Sequence, residues 1–120
     1  MSTLSVSNIT DGTDTVETGY VVNGSAKVLV NFNGSGTIAA RDSVNLASLT
    51  DSGTGQYKIN FTNSFSNSNY TAQCNTENDG NIGHVGSWNT GDWSIAARNN
   101  STNSLQDENF ICASIHGDLA

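Results

Sequence analysis

A chain of 120 residues with 35% hydrophobic and 12% charged side chains is long enough for one domain with a core, and too apolar for a disordered tail. Its formal net charge is −7, opposed only by Lys27, Arg41, Lys58 and Arg98, so a nucleic-acid duplex or an anionic membrane surface would be repelled over most of it. Seventeen Asn, sixteen Ser, thirteen Thr and twelve Gly, 58 of the 120 residues, starve it of helix formers and favour turns and polar strand faces.

Residues 1–25 carry Asp11, Asp14 and Glu17 with no Lys or Arg. Leu4, Val6 and Ile9 suggest a short strand ahead of an Asp11-Gly12 turn, and the whole stretch reads as a connector. Val28, Val30 and Phe32 then alternate with Lys27 and Asn31, and Tyr57, Ile59 and Phe61 alternate with Lys58, Asn60 and Thr62, the period of half-buried strands. Asn33-Gly34 and Gly53-Thr54-Gly55 mark reversals between antiparallel neighbours. Tyr70, Ala72 and Cys74 share one face, Trp93, Ile95 and Ala97 another, and the apolar run from Phe110 to Ile115 suits a strand buried on both sides. Long polar loops are expected at Asn75 to Asp92 and Asn99 to Asn109, projecting from one end. The expected architecture is all-β, an antiparallel β-sandwich of about 7–9 short strands. The expected core is Val28, Val30, Phe32, Tyr57, Ile59, Phe61, Trp93, Ile95 and Phe110.

No run of about 18 apolar residues exists, so no membrane insertion is expected. Cys74 and Cys112 both fall at inward positions by the alternation and are expected as buried thiols; without a Cys-x-x-Cys pair they predict no zinc site. His84 and His116 lack a Ser or Cys partner motif, so no catalytic base and no catalytic residue is expected. Asn78-Asp79-Gly80-Asn81 reads as a turn rather than a calcium loop, and neither a metal nor a cofactor is expected.

The segment from Asn75 to Trp93 holds both tryptophans of the chain, Trp88 and Trp93, five residues apart around a glycine. An exposed indole stacks on the apolar face of a sugar ring, while Asn and Asp side chains choose among hydroxyls. Trp93 is in phase with Ile95 and is expected in the core, whereas Trp88 is open between core anchor and ligand contact. Candidate receptor-binding residues are Asp79, Asn81, His84, Trp88, Asn89 and Asp92, with Asn100 and Asn103 from the second loop beside them.

The block Val-Leu-Val-Asn-Phe-Asn-Gly-Ser-Gly-Thr from Val28 to Thr37, followed by Arg41-Asp42-Ser43, Thr50-Asp51-Ser52-Gly53-Thr54-Gly55-Gln56-Tyr57, Asn60-Phe61-Thr62 and Asn69-Tyr70, resembles the distal domain of tail fibres from tailed bacteriophages, especially marine and cyanobacterial phages. The resemblance spans residues 28–70, about a third of the chain, and departs from the family pattern at Leu29, where an aromatic is common. It implies a homotrimer with residues 1–25 connecting to the fibre shaft and residues 26–120 forming the tip domain. The implied place is the distal end of a virion's tail fibre, assembled in the host cytoplasm. The implied function is non-enzymatic adsorption to a host cell-surface glycan or outer-membrane protein. A structural fibre, capsid-decoration or trimerisation module is the alternative, and a polysaccharide depolymerase fragment is a third.

Overall fold

The structure, a computed structural model, describes residues 1–77 and 81–120; within the last segment, the side chains of Asn81, His84, Val85 and Ser87 lie outside the described residues. An exposed N-terminal arm comes first: strands β1 (Asn8–Thr10) and β2 (Thr15–Glu17) pair as a hairpin, followed by one short helix, α1 (Thr18–Gly24). Asp11 Oδ1 accepts the backbone N–H groups of Thr13 and Asp14, closing the hairpin turn. These same donors lower its pKa, that of Asp14 foremost. No residue of 1–25 is buried, and Leu4, Val6, Ile9, Val21 and Val22 crowd one face of the arm in the open.

Eight further strands form two four-stranded antiparallel sheets. One has the order β4 (Ala39–Val44), β3 (Val28–Asn33), β10 (Ile111–His116), β7 (Thr71–Thr76); the other has the order β5 (Leu46–Gly53), β6 (Gln56–Phe61), β9 (Asp92–Arg98), β8 (Asn81–Trp88). The all-β sandwich expected from the alternation is the fold, with its central strands β3, β10, β6 and β9 supplying most of the core.

Alternation explains the packing directly. Val28, Val30 and Phe32 of β3 and Ile111, Ala113 and Ile115 of β10 face Tyr57, Ile59 and Phe61 of β6 and Trp93, Ile95 and Ala97 of β9, all buried. Phe32 meets Tyr57 edge to face at 5.4 Å between centroids. Tyr57 lies across the interior to donate from its Oη to Gly34 O at 2.9 Å. Gly34 has to lack a side chain because a Cβ there would come within 2.6 Å of the Tyr57 ring. The polypeptide between β9 and β10 closes this end: Gly34 N donates to Glu108 O, Asp107 Oδ1 accepts Gly55 N, and Glu108 is buried with Gln106 Nε2 donating to its Oε1.

Two expectations fail on parity. Ile111, Ala113 and Ile115 point inward, so Cys112 points outward and is exposed, and Phe110 stands just ahead of β10, exposed, instead of in the core. The Phe110 to Ile115 run is therefore a half-buried strand, with one face on solvent. Cys74 does face the core, opposite Ala113, and burial pushes its thiol up to about 11. Both cysteines are free and sit on opposite faces of the β7–β10 pair.

The outer face of the β4-β3-β10-β7 sheet consists of two cross-strand rows, Asp42, Asn31, Cys112, Asn75 and Val44, Leu29, Ser114, Gln73. On β4 the register shifts between Asn31 and Phe32: Asn31 faces Asp42 and Phe32 faces Ala40, which leaves Arg41 as the extra residue of a β-bulge.

Candidate functional site

The segment expected as one long loop, Asn75 to Asp92, contains the edge strand β8, so the predicted site residues separate along it. Asn81 lies opposite Arg98 and Trp88 opposite Trp93. Trp93 and Arg98 are five residues apart on one strand, about 17 Å at the usual rise. Asn100 and Asn103 follow Arg98 in a turn where Asn103 N donates to Asn99 O, so they belong to the Asn81 end. Trp88, Asn89 and Asp92 are gathered at the other end, and His84 lies between, opposite Ile95 in register. Asp79 lies outside the described residues, as do the side chains of Asn81 and His84. The start of the first polar segment and the second segment share one end, where Glu77 N donates to Phe110 O and Asn109 N to Glu77 Oε1, but Trp88, Asn89 and Asp92 lie at the other.

The Trp88 end is a built aromatic edge. Being paired with inward-facing Trp93, Trp88 is on the inner side of its sheet, yet β8 is an edge strand and leaves the indole 37% exposed. There it closes the open flank of the sandwich. Its ring is 5.1 Å from Tyr70 at 39° and 5.7 Å from Trp93 at 48°. Tyr70 continues the stack to Phe65 at 4.7 Å, and Phe65 meets Phe61 edge to face. Trp93 lies underneath, 2% exposed, and among the described residues no acceptor meets its buried Nε1–H; packing must therefore offset the cost of that donor, about 1–3 kcal/mol.

A short turn holds the rim. Tyr70 Oη points at Asn89 O (3.0 Å) and Asp92 O (3.2 Å), sharing its proton between them. Asn89 Nδ2 donates to Asp92 Oδ1 at 3.0 Å, and the Lys58 ammonium approaches the same carboxylate at 3.7 Å. Burial, and then the charge of Asp92, push the Tyr70 hydroxyl up to about 12, so it remains a donor throughout the neutral range. Backbone bonds from Phe61 N to Gly91 O and from Phe65 N to Thr90 O anchor the turn to the end of β6 and to the chain that follows it. An amide, a carboxylate and an ammonium are thus linked at the turn that follows a partly exposed indole, which two other rings hold in place.

Sequence reasoning missed Tyr70 and Lys58 as parts of this edge. Tyr70 carried a signal, an aromatic leading an alternating strand; Lys58 carried none, because its partner comes from β9. Among the described residues no group of three or more His, Cys, Asp and Glu side chains could hold a metal. No protein-family model matches the sequence, and no curated protein and no solved structure matches it.

Proposed function

We propose that this chain is the receptor-binding tip of a phage tail fibre, a non-enzymatic adhesion module that docks on a host cell-surface glycan or outer-membrane protein. The observation that carries the reading is the partly exposed Trp88 held on Tyr70 and Trp93, with the Asn89–Asp92–Lys58 polar chain at the turn that follows it. An indole with a hydrogen-bonding rim suits the apolar face and hydroxyls of a sugar, or a protruding protein loop, and its position needs no rearrangement on binding. The tail-fibre resemblance of residues 28–70 supplies the biological setting.

The homotrimer belongs to the same proposal. Leu29, Ala39 and Val44 are exposed on their sheet, but the larger uncovered apolar surface is the arm face of Leu4, Val6, Ile9, Val21 and Val22. Joining three arms would cover it and gather the N-termini at one end. The same arm favours the second reading, a structural or trimerisation module whose tip binds nothing.

Adsorption of purified protein to cells and to a glycan array separates the two. Trp88→Ala is expected to weaken binding about tenfold or more, as loss of a central aromatic contact does, while light scattering still reports the trimer. Some stability is also lost, about 1–3 kcal/mol, because Trp88 seals the core edge; binding is therefore measured well below the melting temperature. Normal adsorption by Trp88→Ala would remove the aromatic edge from the proposal, and a wild-type trimer that binds no cell or glycan would establish the structural reading.

A further inference from the structure

The acidic chain has few cations, and most are occupied. Lys27 Nζ is bound to Val22 O and Ser25 O, Lys58 to Asp92, and Arg98 Nη1 to Asn103 O. Arg41 differs. The bulge on β4 turns it onto the outer face of its sheet, where its guanidinium lies 3.8 Å above the ring of exposed Phe110, and Nη1 reaches Asn31 Oδ1 at 3.3 Å. Among the described residues it meets no carboxylate. A bulge that re-aims one side chain is a common device beside binding sites. A guanidinium laid flat on an aromatic ring keeps its fork in one orientation, with most of its five N–H donors still unused.

Beside Arg41, the outer sheet face forms a groove of about 320 Å³ that includes Asn31, Gln73 and Asn75 as well as Leu29 and Val44. That is the lower end of the range for small-ligand sites, about 300–1,000 Å³. Asn31 links the two features, since its Oδ1 accepts from Arg41 while its Nδ2 donates to Cys112 Sγ in the groove.

We propose that this groove binds a carboxylate-bearing saccharide, with Arg41 at its edge pairing the uronate-type carboxylate through its fork and the amides of Asn31, Asn75 and Gln73 reading the hydroxyls. Leu29 and Val44 give the C–H face of a sugar ring an apolar surface. Asp42, next to Arg41 and facing Asn31, is the one charged side chain in the lining of the groove itself. A bare anion meets its charge as well as that of Arg41, whereas a uronate offers hydroxyl donors to Asp42 and a carboxylate to Arg41. The groove is on the other sheet from Trp88 and stands whether or not Trp88 binds a receptor.

The test uses the full chain, amide-resolved NMR, and two probes, digalacturonic acid and its neutral dimethyl ester. The expected result is that the acid shifts the side-chain amide signals of Asn31, Gln73 and Asn75 and binds about tenfold more tightly than the ester, the margin a charge-assisted pair provides. Arg41→Gln should bring the acid down to the affinity of the ester and leave the ester unchanged. Because the acid-to-ester ratio is measured on the wild-type chain, the proposal does not hang on the folding of a variant. Equal affinity for acid and ester, shifts confined to other residues, or no shift at millimolar acid because another copy covers the groove would each overturn it.

Discussion

The arm and the sandwich are built by different forces in one chain. In residues 1–25 no side chain is buried, and the hairpin is shaped by local bonds: Asp11 Oδ1 to two backbone donors, Thr10 Oγ1 to Asp14 O, Thr18 Oγ1 to Val6 O. In the sandwich, every central strand buries alternate side chains against the opposite sheet. Only a few polar contacts join the two, among them His116 Nδ1 with Gly24 O and the Lys27 ammonium with the end of α1. Burial gives the sandwich cooperative stability, while an isolated hairpin with a seven-residue helix is marginal in water. The arm is a segment whose shape is specified locally and which buries no side chain of its own to stabilise it.

The contrast is broken most sharply from the sandwich side. Phe61→Ala, which removes a ring packed on Phe65 and Tyr70, is expected to cost about 3–5 kcal/mol in denaturant unfolding. Ile9→Ala in the arm should cost less than about 0.5 kcal/mol in the monomer; comparable values would mean that the arm docks on its own sandwich. Next in size is Gly34→Ala, where the new methyl meets the Tyr57 ring and the Ile111 side chain. A loss of about 1–3 kcal/mol is expected as these groups are forced aside, and a neutral result would show that this end of the core yields. Smallest is the effect of acid on the arm. The pKa of Asp11 is lowered in the folded hairpin, so its contribution is present above the carboxylate's unfolded value, about 3.9, and is lost as pH falls through the folded one. Amide exchange in residues 8–17 should accelerate on acidification relative to its intrinsic rate, with β6 and β9 unaffected; a pH-independent protection would rule out the Asp11 turn as the clasp.

The same division decides how much was legible in the sequence. β3 and β6 alternate cleanly, because one face of each is buried, and their registers follow from that; β9 alternates through Ile95 before Ala96 is buried as well. β8 was hidden: Gly83 and Gly86 interrupt its pattern, and its register shifts between His84 and Trp88, where Gly86 takes a φ of 96° that other residues rarely adopt. An expected loop became a strand, and the candidate residues fell at opposite ends of it. In β10 the continuous run Phe110-Ile111-Cys112-Ala113 masked the parity that turns Phe110 and Cys112 outward. The pairing of Trp88 with Tyr70 and the bulge at Arg41 depend on which strands become neighbours, and nothing local to those residues announces either. Helix α1 defied propensity, with glycines at 19 and 24 and β-branched Val21 and Val22.

The opposed faces of Cys74 and Cys112 give the molecule a single redox handle. Joining the two sulfurs within one chain would require flipping one strand over, which the buried pattern of β7 and β10 forbids. On passing into oxidising surroundings the folded chain therefore forms no internal disulfide, and exposed Cys112, rather than the half-buried Cys74 whose thiol burial keeps protonated, is the sulfur open to oxidation, capping by a small thiol or cross-linking to another chain. Any such adduct sits on the floor of the Arg41 groove, so a change in the thiol becomes a change in what that sheet can hold.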